Sequence, residues 1–416
     1  MQLEQELNAR IERLAPKWIE FLRRLVTTPS VLGAEQACLD ITREAMRGLG
    51  VYARDVRPGA GEPYVPTGRS YAGRGCLVGR VAGASGGPVF ALNAHMDTAP
   101  VEDPQSWRHP PFGAVIEDGL LFGRGAMDDK AGVAMLLLLA EVFASGGPRL
   151  PGDLLLEVVV EDEDSGNGTL ACTLAGCHAD AGIIIDGTWP FRIIDAHLGQ
   201  IWFEARIAGT PVAACSQERG VNPVFMAMSF IERLRALTAE GNARGPWRGV
   251  EAPWFLNVGT VHAGVWPGAV PETCTVSFQL GFPPPETPET VFALVQELAR
   301  EAVPGESAVL VPGSLWTAPF ANPDNPLARL LARTIARRHP GEMDVRAVAV
   351  KGHCDLRHMR RVDGTLADAC LYGPGGGGNP HARDEHYRLD HFVPVAQNIA
   401  SAILEWSAGG KLQQQP

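Results

Sequence analysis

The chain has 416 residues, 45% of them hydrophobic and 20% charged, and a net charge of −11. That length points to about two domains. The acidic balance excludes nucleic acid and an anionic membrane surface as main partners, because both call for a basic face.

No stretch reaches the roughly 20 apolar residues that cross a bilayer. The best run, Val133 to Ala140, reads as part of a buried helix. Met1 to Arg24 is charged throughout, with Leu3, Leu7, Ile11 and Leu14 at helical spacing. It lacks the apolar core of a signal peptide, so the expected location is cytoplasmic. The eight cysteines form no C-x-x-C pair and are expected as free, mostly buried thiols.

After the first helix and the Thr28-Pro29-Ser30 turn, an amphipathic stretch runs from Glu35 to Leu49. Cys76 to Val81 and Val89 to Asn93 read as strands, and Ala131 to Ala144 as a helix stopped by Gly146-Gly147. Leu154 to Val160 and Gly182 to Ile185 are apolar runs suited to central strands covered on both faces. This is an α/β pattern. Near Ala196 the texture changes. Trp202 to Ile207 alternates, Pro223 to Leu237 is helical, Phe255 to Val261 and Thr273 to Leu280 are strands, and Thr287 to Glu301 is a helix. A last strand fits at Ala308 to Val311. That order predicts an inserted ferredoxin-like α+β unit. The α/β texture returns with a helix from Asn325-Pro326 to Arg338, strands at Val345 to Val350 and Ala369 to Tyr372, and a closing helix from Val393 to Trp406. The expected division is 1–195, 196–310 and 311–416, the first and last forming one domain. Arg357 to Arg361 is expected as a solvated loop, and the tail Lys411 to Pro416 as disordered.

The chemistry-bearing residues fall at predicted strand ends, where sites assemble in α/β sheets. His95-Met96-Asp97 follows a strand and pairs an imidazole with a nearby carboxylate. Gly123 to Lys130 enters a helix and carries Asp128 and Asp129, but lacks the G-K-[ST] of a phosphate loop. The run Glu161-Asp162-Glu163-Asp164 follows another strand, and four adjacent carboxylates need an offsetting cation unless they lie in water. Asp186 ends a further strand, and His381 to Glu385 follows a glycine run. Mixed His and carboxylate ligation suits zinc, and metal pairs bridged by a carboxylate suit hydrolysis.

These five motifs, in this order, resemble the co-catalytic zinc amidohydrolases that include acetylornithine deacetylase, succinyl-diaminopimelate desuccinylase, aminoacylase and the glutamate-releasing carboxypeptidases. The resemblance covers nearly the whole chain. It implies a zinc-peptidase-like domain with a central mixed sheet, split by a lid that also dimerises. It implies two zinc ions, with cobalt or manganese as substitutes: His95 and Asp186 on one, Glu163 and His381 on the other, Asp128 between them. Asp97 would stand behind His95, and Asp162 would be the general base for an attacking water. A shift of one residue makes Glu163 the base and Asp164 the ligand.

The chain departs from the family elsewhere. Ala213 stands where the family has an oxyanion-stabilising His, Gly268 where it has an Asn, and Leu280 or Gly281 where an Arg grips a substrate carboxylate. The reading is therefore a di-zinc amidohydrolase acting on an amide or peptide-like bond of a small molecule, with atypical recognition. The alternative is a repurposed member that forms amides or binds a ligand. His197 and His262 are candidates to supply the missing acid or base, and the Arg357 to Arg361 segment or Arg383 the missing carboxylate clamp. Weak turnover of acetylornithine, succinyl-diaminopimelate and simple N-acyl amino acids is expected.

Overall fold

The computed structural model describes residues 2–409 except 85, 145, 188–190, 304, 306, 342–344, 346, 377 and 379. The tail expected to be disordered lies outside them. In the helix Gln2–Val26, Leu7, Ile11, Ala15, Trp18 and Leu22 recur every three or four residues and are buried. Leu3 is half exposed, because the stripe begins one turn later than expected. The stripe packs on the helices Lys130–Ala144 and Phe392–Ser407. Lys130–Ala144 is buried along nearly its whole length, which accounts for its unbroken apolar run. Among the described residues no helix is long and apolar enough to cross a membrane.

Nine of the described strands form a mixed central sheet. Its heart is parallel, in the order Leu154–Val159, Phe90–His95, Ala181–Ile184, Asp368–Leu371. Antiparallel strands flank it, Cys76–Val81 beside Leu154–Val159 and Ile193–His197 beside Asp368–Leu371. Helices cover the parallel strands, so both faces are apolar. Consequently Asp97, the 161–164 run and Asp186 leave the sheet at one edge, each just past the carboxyl end of a parallel strand.

Glu157 is an exception to the apolar rule, buried within its strand with Asn93 Nδ2 donating to it at 3.1 Å. Burial pushes its carboxyl from the usual 4.5 up to about 8. The folded state holds a proton here that the unfolded chain releases. This contribution to stability is complete below pH 4.5 and is lost as the pH rises toward 8. Glu157→Gln keeps the shape without the charge. Its Tm should exceed that of the wild type by on the order of 2–4 °C at pH 8 and match it near pH 4, measured by calorimetry.

A second sheet holds Phe255–Ala263, Thr273–Phe282, Gly199–Ala208 and Ala308–Thr317 in that spatial order, all antiparallel. With the helices Pro223–Asn242 and Pro288–Ala302 it gives the strand–helix–strand–strand–helix–strand order of a ferredoxin-like unit. Ile201, Phe203, Val276, Phe278 and Leu280 pack with Phe230, Leu234, Val291 and Val295 into an apolar cluster of their own. By the period of two, Gln200, Trp202, Gln279 and Gly281 point to the other face. The last strand continues past Val311 to Thr317, through an irregularity at Pro312. A proline is tolerated there because the strand lies at the sheet's edge.

A small third sheet was not expected from the sequence. His386–Arg388 pairs with Leu120–Phe122, which pairs with Val115–Glu117. It joins the segment after His381 to the loop that carries Asp128.

Candidate metal centre

Three strand ends and two loops meet at one point. His95 Nδ1 donates to the carbonyl of Asp97 at 2.9 Å, which leaves Nε2 facing outward. Nε2 lies 2.9 Å from Asp128 Oδ1. The other oxygen, Asp128 Oδ2, lies 3.2 Å from His381 Nε2, which is also 2.7 Å from Glu163 Oε2. One carboxylate therefore faces two imidazoles, one per oxygen. Asp186 completes a group with His95, and its Oδ1 accepts the N–H of Gly187.

Asp129 also lies close to His95 and Asp186. Its two oxygens are already engaged, accepting the N–H of Gly132 at 3.1 Å and of His95 at 3.2 Å. Asp129 thus caps the Lys130–Ala144 helix and ties it to the sheet, while Asp128 keeps its oxygens for the cavity. A Cβ on residue 132 would lie 1.9 Å from the Ile185 carbonyl, so only glycine lets the helix start this close to the strand end.

The acidic run divides in two. Glu161 accepts from Tyr71 at 2.5 Å, Ser165 at 2.8 Å and Arg74 at 3.2 Å. Asp164 is held by Arg69 and Ser314. The offsetting cations are thus two arginines of the 57–75 segment. Asp162 and Glu163 line the cavity instead. Their N–H groups donate to the Asp97 carboxylate at 3.4 and 3.1 Å. The Asp97 carboxylate is 3.7 Å from His95 Nδ1, so its main work is to hold this turn rather than to take the imidazole proton.

Electrostatics mark the centre as short of positive charge. Burial would lower the pKa of His95, but the hydrogen bond to Asp128 and the charges of Asp162 and Asp97 raise it well above the ordinary value. Burial is likewise outweighed at His381, where Asp128 and Glu163 push the pKa up to about 11. Asp128, despite its burial, is held well below the carboxylate range by the two histidines. Burial and then Asp355 push Asp162 well up, and burial with Asp128 pushes Asp186 up to about 7. Glu163 Oε1 is buried without a hydrogen-bond partner among the described residues. Crowded carboxylates, two inward imidazole nitrogens and an orphaned carboxylate oxygen fit divalent cations.

Glu385 positions the Asp128 loop. Its carboxylate accepts Arg124 Nη1 at 2.6 Å, and the N–H groups of Gly125, Met127 and Asp128 at 3.0, 3.1 and 3.2 Å. The sequence placed Glu385 in a motif but gave it no role. Glu385→Ala should weaken metal retention by roughly 10–100-fold, measured by chelator competition. Unchanged retention would show that the loop holds itself.

Other residues were missed. His353 Nε2 donates to the Asp162 carbonyl at 2.8 Å and lines the cavity, as do Lys351, Gln200 and Gln279. Asp355 hydrogen-bonds Asp162 and accepts from Thr169 at 2.5 Å. No local spacing marks these residues. They arrive from the second sheet and from the 351–358 segment, distant in sequence.

Two lesser expectations are corrected. His197 is fully buried against Phe320 and His262 is exposed on an edge strand, so neither lines the cavity. Arg357 to Arg361 is half-buried rather than solvated, with Arg357 donating to the carbonyls of Cys354 and Ser165. It packs behind the acidic turn. Arg383 is exposed.

The cavity of about 800 Å³ lies between this centre and the polar face of the second sheet. Its floor holds Asp128, Asp162, Glu163, Asp186 and His381, and its roof Gln200, Trp202, Phe255 and Gln279.

Comparison with known proteins agrees with this geometry. The chain is 26% identical over 382 residues to N-formyl-4-amino-5-aminomethyl-2-methylpyrimidine deformylase of Bacillus subtilis, covering 82% of this chain and 85% of that one. It is 24% identical over 399 residues to succinyl-diaminopimelate desuccinylase of Dechloromonas aromatica, covering 93% and 97%. Its fold matches human carnosine dipeptidase 1 with a TM-score of 0.75 at 14% identity, covering 98% and 100%. It matches the dipeptidase Dug1p of Saccharomyces cerevisiae with a TM-score of 0.76 at 14% identity, covering 97% and 98%. Residues 91–405 match the family described as peptidase family M20/M25/M40, and the chain belongs to that family.

Proposed function

We propose that this chain is a two-zinc amidohydrolase that cleaves an amide or peptide-like bond in a small molecule. The observation that carries this reading is Asp128, with one oxygen toward His95 and the other toward His381. His95 and Asp186 would hold one ion, Glu163 and His381 the other, and Asp128 both. Asp164 is committed to Arg69 and Ser314, which favours Glu163 as ligand and Asp162 as base.

When bound, the ions would polarise the amide carbonyl and lower the pKa of a water. Asp162 takes the proton of the attacking water and passes it to the leaving amine. Burial and Asp355 raise its proton affinity, and cations bound beside it would lower it again toward the range in which a carboxylate can take a proton. The Asp97 carboxylate and His353 fix the turn that aims it. Asp has one methylene fewer than Glu, and the hydrogen bonds from His353 and to Asp97 set the backbone position that a short base depends on.

A second reading, amide formation or ligand binding at the same centre, is favoured by one observation. Ala213 pairs with Ala269, and its neighbour Ala214 donates its N–H to Gly268 O at 3.0 Å; neither Ala213 nor Gly268 carries a side-chain donor. Assays on simple formyl and succinyl amides with zinc-loaded protein separate the two. The hydrolase reading predicts zinc-dependent amine release. No release from any amide, with both metals bound, would favour the second.

We further propose a cytoplasmic homodimer formed through a lid made of the second sheet. Seven of the eight free thiols are buried, which suits a reducing compartment. The Phe255–Ala263 edge is exposed, with Val261 on it and Phe225 and Met228 on the adjoining helix surface. Light scattering should give about twice 44.5 kDa. A mass near 44.5 kDa at micromolar concentration would refute the dimer.

A further inference from the structure

The helix Asn167–Leu174 leaves the acidic turn and ends in a Schellman motif. Gly176, at a φ of 81°, donates its N–H to the Thr173 carbonyl at 3.0 Å, and Cys177 donates to the Cys172 carbonyl at 2.9 Å. Such a motif sets the third residue from the helix end against the residue two past the cap, ordinarily as an apolar contact. Here both positions are cysteines, Cys172 and Cys177. A backbone hydrogen bond of this kind holds two Cα atoms roughly 5–6 Å apart, within the span that a disulfide bridges.

The surroundings are not those of two inert core thiols. The strand Arg54–Val56 pairs with Cys76–Val81 and forms the edge of the central sheet. From it Arg54 Nη2 donates to Cys177 Sγ at 3.0 Å and to the Ala175 carbonyl at 3.1 Å. A guanidinium only donates, so the Cys177 sulfur is the acceptor. The Cys172 sulfhydryl lies within hydrogen-bonding reach of Cys177 and Cys76. The hydrogen bond from Cys172, aided against burial by Arg54 and Arg80, brings the Cys177 thiol down to about 7. Glu157 faces the same cluster from the next strand, but burial keeps it protonated up to about pH 8. Cys172 and Cys76 are fully buried, whereas Cys177 is 5% exposed beside the surface residues Arg54, Ala175 and Gly176. A small oxidant therefore meets Cys177 first.

We infer that Cys177, activated by Arg54, and Cys172 form a peroxide-oxidised thiol pair whose disulfide is a reversible modification of this chain. The Cys177 thiolate attacks one peroxide oxygen, the O–O bond breaks and hydroxide leaves, giving a sulfenic acid. The Cys172 sulfur then attacks the Cys177 sulfur, the S–O bond breaks, and water leaves with the Cys172 proton. Two thiols lose two electrons and the peroxide gains them. A dithiol reductant reverses the step by exchange. The pair lies at the far end of its helix from the acidic turn and uses no residue of the metal centre.

The test treats folded, zinc-loaded protein with a few-fold excess of hydrogen peroxide at about pH 7, caps free thiols with N-ethylmaleimide, and maps tryptic peptides without reduction. Cys172 and Cys177 are the two cysteines of the tryptic peptide 150–192. That peptide should appear lighter by two hydrogens and uncapped, and dithiothreitol should restore it. Cys172→Ser should leave Cys177 as a sulfenic acid that dimedone traps. Arg54→Met should slow bridge formation by about 10-fold through loss of thiolate, and Arg54→Lys should retain most of the rate. If peptide 150–192 keeps two capped thiols under conditions that oxidise the exposed Cys215, or Cys177 is bridged to Cys76, the pair is overturned. An unchanged rate in Arg54→Met overturns the activation by Arg54. The wild-type mapping decides the pairing without any variant having to fold.

Discussion

Replacing Asp128 by Ala is expected to remove both metal ions and to lower kcat/KM by at least about 10³-fold. The side chain faces His95 at 2.9 Å through one oxygen and His381 at 3.2 Å through the other. Without it the imidazoles lose their shared partner, and Glu163 and Asp186 face a widened gap. The fold should survive, because the loop is held by Glu385 through backbone N–H groups that the substitution leaves in place. Elemental analysis after dialysis reads the metal, and circular dichroism reads the fold. Retention of one full equivalent would mean that Asp128 serves a single ion, and retention of two would remove it from the ligand set.

Replacing Asp162 by Asn is expected to leave both ions bound and lower kcat by about 10²–10⁴-fold, the range for a lost general base. Asn keeps the backbone contacts to Asp97 and His353, which involve the main chain of residue 162. The acidic limb of the kcat/KM profile should disappear in the variant if Asp162 is the base. If kcat is unchanged and Glu163→Gln instead abolishes turnover with metal retained, the base lies one position later. That outcome would have to explain why Asp164 is turned toward Arg69 and Ser314.

The two expected effects differ because the residues act differently. On the proposed reading Asp128 would supply a charge that two cations share, while Asp162 would move a proton. Comparing metal content with kcat in the two variants separates those functions without knowledge of the natural substrate.

Much of this was legible in the sequence. His95, Asp128, Asp186 and the 161–164 run each sit beside a strand or helix signal, and apolar runs such as Leu154 to Val160 mark central strands directly. The ferredoxin-like order was readable because alternation in Trp202 to Ile207 differs from the continuous runs of the central sheet. What could not be read depends on contacts between distant segments. The proposed preference for Glu163 over Asp164 rests on Arg69, almost a hundred residues away, and on Ser314 on the second sheet. Glu385 gains its role only because a small sheet brings it against the Asp128 loop. The hydrogen-bonded Gln200–Gln279 pair over the cavity has no local signature, since a glutamine on a strand is ordinary until its partner is known. The histidine candidates failed for a related reason. His197 belongs to the central sheet, where neighbours bury it, and His262 lies on an edge strand away from the cavity.

The most direct test of the central claim is a zinc titration of chelator-stripped protein, following bound metal and the hydrolysis of a simple formyl or succinyl amide together. The account predicts two equivalents bound per chain, with hydrolysis absent in the stripped protein and reaching its full rate only as the second equivalent fills. Hydrolysis at full rate in the stripped protein, or saturation of both metal and rate at a single equivalent, would contradict it.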